Sequence, residues 1–535
     1  LESGNVDNLA VLEKSISSHA ARAHSLTSGP AWWAAAAVPW LGAPAKTVRG
    51  ISAQAATLAQ TSLPAIVVTA QSVNPRTLRI AGSSIDVTAL SRAAPQVHGA
   101  AASLTQVVVH VQRLPATTWL GQADSARESL LTTLTGLAEH MTDVADALQV
   151  LPTILGEQTP RRYFIALQNS AEARGTGGLP GAFAIVTADR GQIRFEVFAN
   201  DGALDGVSAG LDFGPEYAAH YGPDQPFSQY VDSNESPHFP YAARIWAAMW
   251  TNKTGEKVDG AMALDPTALS YLLKVTGPAS LPDGTVVSAA NVVALSEKDV
   301  YAKFPLDVPV ANAARRQYLL DIAQASEQRL LSGTGDARAL LQASSRAAAE
   351  RRLLVWSADP AVEAVLARHP VGGTVSETTQ PFSLLSINNG SGGKLDYYLE
   401  RSYVWSRSEC GAIADVKVTI TLHNGSPTAG LPGVVVGRKD KPRYVTKPGD
   451  LRSVVDYFAT ANAKLQNATL DGTAASAVVY TENGHPVIRL IAELPAGTTH
   501  TIVLHLSEPT GTAPVAVVSQ PLTTMPKVMI ADSCS

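Results

Sequence analysis

The side chains with the most evident chemical use in this 535-residue sequence are arginines set beside glycines or at the starts of helices. Arg174 lies in the stretch Asn169–Gly178 (NSAEARGTGG), directly after the β-rich run RRYFIALQN. A Gly-rich loop can turn backbone N–H groups toward an anion, and a guanidinium adds a bidentate phosphate donor. A plain tight turn is the alternative. The segment Val231–Pro240 (VDSNESPHFP), which holds Asn234, leads into a helix carrying Arg244. Further on, an apolar strand runs into Asp265, with Pro266 at the first position of the next helix. Capping accounts for Asp265 by itself, and catalysis is the competing reading. Arg315-Arg316-Gln317 open a long helix that is otherwise apolar and Ala-rich. If Arg174, Arg244, Arg315 and Arg316 converge on one face near Asp201 and Asp265, the chemistry is that of pyrophosphate. Clustered positive charge neutralises the phosphate oxygens and a divalent ion such as Mg²⁺ bridges them, with Asp201 the candidate metal ligand. The helix with Trp246, Met249 and Trp250 and the strand ending at Leu264 could form an apolar groove; the same side chains could equally be core.

These residues need elements to hold them. Residues 1–157 lack strand alternation and place apolar residues at helical spacing over Val6–Leu26, Ala45–Leu63 and Glu128–Leu151. They predict a stalk of long helices, broken at Pro30, Pro39 and Asn74-Pro75, with Trp32, Trp33 and Trp40 either plugging its tip or meeting lipid headgroups. From 158 to 399, strands alternate with helices, as in an α/β layer domain. Its hairpin turns at Asp189-Arg190-Gly191, its helices start at Tyr241, Pro266 and Ala311, and a last one covers Ala337–Trp356. From 400 to 535, short alternating strands (Asp415–His423, Gly433–Arg438, Ala477–Glu482, Val487–Leu494, Thr499–Leu506) predict an antiparallel β-sandwich. The expected fold is multidomain α+β.

Composition narrows the class of function. The chain is 45% hydrophobic and 16% charged with a net charge of -5, which argues against a nucleic-acid partner, since that needs a concentrated basic face. The only two cysteines, Cys410 and Cys534, flank the β-rich region and fit a structural disulfide in an oxidising compartment. Bridging them would close a loop worth roughly 4–5 kcal/mol in the chain-entropy model. No HExxH, GxSxG, Walker loop or metal-spaced Cys/His cluster is present, and His238, His369 and His423 stand alone. No apolar run reaches the roughly 18 residues of a membrane span. The opening polar helix reads as the cut end of a longer protein whose anchor lies outside these residues.

Four of the segments carry a resemblance. N-x-A-E-x-R-x-T-G-G at Asn169–Gly178, N-x-x-P-x-F-P at Asn234–Pro240, V-D-G-x-x-x-x-D-P at Val258–Pro266 and the late G-x-K-x-D-Y-Y-L ending Gly393–Leu399 resemble the bacterial family called domain of unknown function 4012. The resemblance covers about Arg161–Leu399; His238 stands where an acidic residue is expected. More distantly, the order of elements is similar to the LytR–CpsA–Psr phosphotransferases, which move a glycopolymer from a polyprenyl-pyrophosphate carrier to peptidoglycan outside the membrane. That similarity implies catalytic roles for Arg174, Asp265 and Arg316. It implies substrate binding by Arg244, Arg315 and Gln317, with Asn234, Tyr301 and Lys303 beside them. The early R-x-D of those enzymes is here Arg174-Gly175-Thr176, and their paired arginines are replaced by Tyr301 and Lys303. The expected protein is an extracytoplasmic, membrane-tethered envelope protein binding a polyprenyl-linked glycan. A non-catalytic binder of cell-wall polysaccharide, or a scaffold, is the alternative, and a two-carboxylate glycosidase has no motif behind it.

Overall fold

The computed structural model describes residues 6–39, 42–64, 66–67, 79–80, 84–333, 335–408, 411–511 and 513–534. They form two compact units: residues 1–160 with 188–192, and 161–187 with 193–535.

The first unit is helical: α1 (Val6–Thr27), α2 (Pro30–Ala37), α3 (Ala43–Thr57), α4 (Val87–Gln112) and α5 (Gly121–Ile154). In α4 the buried residues Val97, Ala100, Ala101, Leu104, Val107, Val108 and Val111 recur at three and four residues, the stripe a helix must bury. It packs along α5, which answers with Leu134, Ala138, Met141, Ala145 and Leu148. Asp86 starts α4 by accepting a hydrogen bond from the Ala89 N–H at 2.9 Å. Trp33 is exposed, with Arg49 stacked 3.7 Å over its ring; Trp40 and Asn74-Pro75 lie outside the described residues. No helix among the described residues is long and apolar enough to cross a membrane.

The second unit is mixed. Strands β1 (Arg161–Arg174), β2 (Gly177–Asp189), β3 (Gln192–Asn200), β4 (Gly260–Leu264) and β5 (Leu353–Ser357) lie in one sheet in the order β3-β2-β1-β4-β5. β1 and β4 are parallel, as a long crossover demands, and β5 is antiparallel to β4. The crossover carries α6 (Phe239–Thr254), whose Trp246 and Met249 are fully buried against Phe164 and Phe183. Those two rings stack at 4.7 Å, and Trp246 Nε1 donates to Ser233 Oγ at 2.7 Å. The groove expected at Trp246, Met249 and Trp250 is therefore filled core. After β4 come α7 (Pro266–Thr276), α8 (Pro309–Leu331) and α9 (Ala337–Ala349). The helix expected through Trp356 stops at Ala349, because Arg351 turns at φ 57° and the chain continues as β5.

Two more sheets complete the unit. One contains β6 (Phe382–Asn389), β9 (Leu451–Phe458), β11 (Val478–Glu482), β12 (His485–Leu494) and β14 (Ala516–Ser519), ordered β11-β12-β9-β6-β14. In the other, β7 (Leu399–Ser408), β8 (Ile413–Asn424), β10 (Lys464–Leu470), β13 (Thr499–Pro509) and β15 (Lys527–Asp532) are ordered β10-β13-β8-β7-β15. Ala414, Val416, Val418, Ile420 and Leu422 alternate inward on β8, as a sheet with one buried face requires. The boundary expected at 399 is absent: β6 precedes it yet pairs antiparallel with β9 and parallel with β14. Gly433–Val436, expected as strand, is a single helical turn. Of the expected cysteine bridge, Cys410 lies outside the described residues; β7 and β15, which precede the two cysteines, run parallel with Arg407 opposite Asp532.

Glu508 falls on the inward alternation of β13, where Thr460 Oγ1 donates to it at 2.5 Å. Burial pushes its carboxyl up to about 7 from 4.5. The folded state therefore keeps a proton that the unfolded chain releases, and this site costs stability as pH rises between those values. The variant Glu508→Gln should gain stability over the parent by about 1.4 kcal/mol per pH unit across that window and no further above it. Urea unfolding from pH 4.5 to 8 measures this.

Candidate functional site

The site is assembled from β-hairpin geometry outward. β1 and β2 are joined by only Gly175 and Thr176. The glycines here serve close approach: a Cβ on Gly175 would lie 2.1 Å from the Glu235 carbonyl oxygen, and one on Gly178 2.3 Å from the Asn169 carbonyl carbon. The loop is thus a tight turn pressed against residues 234–236. Asn234, fully buried, locks the two together by donating to Thr176 Oγ1 at 2.7 Å and to the Gly178 carbonyl at 2.9 Å. Gln168 donates to the same Thr176 hydroxyl at 2.5 Å.

Arg174 sits at the centre of this interlock. Its Nη2 donates to Asp232 Oδ1 at 2.7 Å and to Glu172 Oε1 at 3.3 Å, Nε to the Val231 carbonyl at 3.1 Å, and Nη1 to the Ala173 carbonyl at 2.9 Å. On the far side Glu172 meets Lys394 from the loop after β6. Burial and neighbouring Lys439 push the Lys394 ammonium down to about 7, while the Asp396 carboxylate acts the other way. Asp396 completes the loop, accepting from the Ala173 N–H at 2.9 Å and from Asn389 Nδ2 at 2.5 Å.

Around this lattice opens a cavity of about 660 Å³. Its walls include Arg174, Asp201, Asp265, Tyr301, Arg315 and Arg316, so these six expected residues share one space. Arg244 is not among the lining residues; it is exposed, stacked 4.6 Å over Phe213. Neither is Gln317, which reaches along its own helix to Asp321, nor Lys303, paired with Asp283 at 2.5 Å on the surface, nor Asn234. The lining also contains Glu172, Asp232, Glu235, Lys394 and Lys439. Glu172 and Lys394 stand inside the quoted motifs, so the signal was present; only the fold shows that they touch.

The partners define what each charge can do. Asp265 accepts from the Ala268 N–H at 2.7 Å and pairs with buried Arg352 at 2.6 Å, which also donates to the Leu522 carbonyl. Both are structural bonds, and burial raises the Asp265 carboxyl while Arg352 opposes it. Arg316 covers both oxygens of Asp201, Nε to Oδ1 at 2.9 Å and Nη2 to Oδ2 at 3.3 Å. That leaves Asp201 poorly suited to ligate Mg²⁺, and among the described residues no three His, Cys, Asp or Glu side chains converge on a metal position. The residues present do not fit a protein-held magnesium ion. Arg315 differs from the others. It is 9% exposed and donates to the Phe304 carbonyl at 2.9 Å and to Asn312 Oδ1 at 2.5 Å. Among the described residues no carboxylate forms an ion pair with it; Asp307, also in the cavity lining, attracts it from further off. The rest of the lining includes Phe195 and Phe198, stacked at 5.3 Å, and Leu319, Ile322 and Leu330 from α8, the helix that also carries Arg315 and Arg316.

A mixed α+β protein with an amphipathic cavity on its central sheet is the class these observations define. Residues 158–301 match the family model described as Protein of unknown function (DUF4012), which covers β1 through the segment before α8. No curated protein and no solved structure matches the chain.

The Asp265–Arg352 pair gives a direct check. Asp265→Ala should cost about 3 kcal/mol of stability, because it removes the buried carboxylate that pairs with Arg352 at 2.6 Å and leaves that guanidinium only Glu350 at 3.0 Å and the Leu522 carbonyl. The double variant Asp265→Asn, Arg352→Met should recover most of that loss. Denaturant midpoints of the three proteins decide it; a cost near 1 kcal/mol for the single variant would assign Asp265 a cap and nothing more.

Proposed function

We propose that this protein acts on the outer face of the cell membrane as an envelope protein that binds a polyprenyl-pyrophosphate-linked glycan, passing the glycopolymer on to the cell wall. The observation that carries this reading is the amphipathic cavity. Arg315, Arg316 and Lys439 offer positive charge for the diphosphate, and Phe195, Phe198, Leu319, Ile322 and Leu330 offer an apolar wall for the first isoprene units. A volume of about 660 Å³ takes the diphosphate, the adjoining sugar and a short length of prenyl chain; the rest of a long lipid would stay in the bilayer, held near the protein by an anchor. Within this reading the central sheet and its helices are LytR–CpsA–Psr-like, and the two further sheets form a β-sandwich that packs the 389–396 loop into the cavity.

One observation favours a second reading, in which the protein binds the glycan without transferring it. Arg174 and Asp265, expected to be catalytic, both spend their hydrogen-bonding capacity on protein partners. The binding step is common to the two readings, and the Mechanism of transfer separates them.

Incubation with a short-chain polyprenyl pyrophosphate tests both. Native mass spectrometry should find one lipid per chain, and Arg316→Glu should weaken binding tenfold or more, since it reverses a charge facing the diphosphate. Release of phosphate by the parent protein supports transfer chemistry; binding without release supports the second reading. An intact protein that binds no lipid overturns the proposal.

A further inference from the structure

Two segments that line the cavity continue into exposed side chains of the kinds that bind lipid. The first, residues 304–312, leads into α8 and supplies Asp307 and Asn312 to the lining. Arg315 fixes it to the cavity wall by donating to the Phe304 carbonyl at 2.9 Å. Pro305 and Pro309 stiffen the segment, and its Leu306, Val308 and Val310 are 62%, 44% and 81% exposed. Its one acid, Asp307, accepts from Asn312 Nδ2 at 2.9 Å. Single apolar side chains on a surface are ordinary; three within five residues call for a partner. The second segment, residues 433–450, supplies Val434, Lys439 and Asp440, and the Lys439 N–H donates to the Ser391 carbonyl of the lining at 2.8 Å. Past it come exposed Lys441, Arg443 and Lys447 around Val445, which is 95% exposed. The acids nearby are already engaged. Arg438 holds the two oxygens of Asp440 at 2.9 Å and 2.6 Å and Glu493 at 2.7 Å, and Asp450 accepts from the Lys447 N–H at 2.7 Å. Among the described residues no carboxylate pairs with the side chains of Lys439, Lys441, Arg443 or Lys447.

We propose that these two segments dock the protein on an anionic lipid bilayer, with the cavity opening onto the membrane surface. Apolar tips enter the headgroup region while neighbouring cations meet lipid phosphates, and interfacial binding draws on both. The chain as a whole carries a net charge of -5. Free cations gathered in one short loop therefore decide which face turns toward a negative surface. A fluid bilayer also accepts protruding side chains such as Val310 and Val445 without the matching pocket that a folded partner must supply. Docked in this way, the cavity with Arg316 and Lys439 in its lining lies level with the headgroups, so a lipid diphosphate enters without leaving the membrane. The direction of entry rests on the reading of the cavity as a lipid-diphosphate site; the docking itself is tested without that ligand.

The full chain is sedimented with vesicles of phosphatidylcholine alone and of phosphatidylcholine mixed with phosphatidylglycerol. The parent should partition onto the mixed vesicles, at least about tenfold less onto the neutral ones, and be released by added salt. The double variant Lys441→Glu, Arg443→Glu should lower that partition by about 25-fold or more, roughly fivefold for each cation removed. The triple variant Leu306→Ser, Val310→Ser, Val445→Ser should lower it by about tenfold or more through lost apolar contact. All five side chains are exposed, so denaturant midpoints should stay at the parent value. A parent that binds neither kind of vesicle overturns the docking surface. Charge reversal without effect overturns the residues assigned to it. Mixed-vesicle binding that the serine variant leaves at parent strength points to a soluble polyanion or an acidic protein and overturns the bilayer. The cavity reading fails separately: a protein that ignores vesicles yet binds a short-chain polyprenyl pyrophosphate overturns docking alone, and the reverse result leaves docking standing.

Discussion

The guanidinium of Arg174 carries a positive charge into a position 4% exposed to solvent, and the second unit is arranged so that this charge is never left alone. A buried ion survives only when it is paired and its remaining donors are met. Arg174 meets that condition by drawing in Glu172 from its own strand, Asp232 and the Val231 carbonyl from the crossover, and its own Ala173 carbonyl. Once those four partners are in place, the hairpin, the crossover and the loop after β6 have little freedom left. Glu172 holds Lys394, and Gln520 donates to the Arg174 carbonyl at 2.7 Å. Segments more than three hundred residues apart in sequence meet at this one residue.

That constraint also explains why the cavity has its mixed character. Arg174 is consumed by structure, so the cations turned toward the open space are those of α8 and the late loops. Arg315 stands on the buried side of α8 one residue before Arg316, and the same helix supplies Leu319 and Ile322 four and seven positions after Arg315. One helical face therefore carries both the charged and the apolar part of the wall.

Much of the architecture was legible without coordinates, because it follows from local periodicity. The helices of the first 157 residues, the Asp189–Gly191 turn, the strand into Asp265 and the alternating strands after 400, Gly433–Arg438 excepted, appear among the described residues where spacing placed them. The errors came where local and tertiary demands diverge. The Ala-rich segment after Ala337 reads as helix to Trp356, yet a strand position was waiting beside β4 and Arg351 turns the chain to reach it. The division at 399 follows a real change of pattern, but β6 had to pair with β9 across it.

The site divides in the same way. The sequence by itself determined which segments hold chemistry, since the motifs with Asn169–Gly178, Asn234–Pro240, Val258–Pro266 and Gly393–Leu399 all border one cavity or support its wall. It could not decide which charges are free. A solvated arginine and a neutralised one are written with the same letter, and the difference lies in partners brought by the fold: Asp232 and Glu172 for Arg174, Arg352 for Asp265, and for Arg315 only the neutral Phe304 carbonyl and Asn312 among the described residues. The Gly-rich stretch that reads as an anion loop is a packed turn for the same reason, because Gly175 makes room for the Glu235 carbonyl, a neighbour sixty residues away.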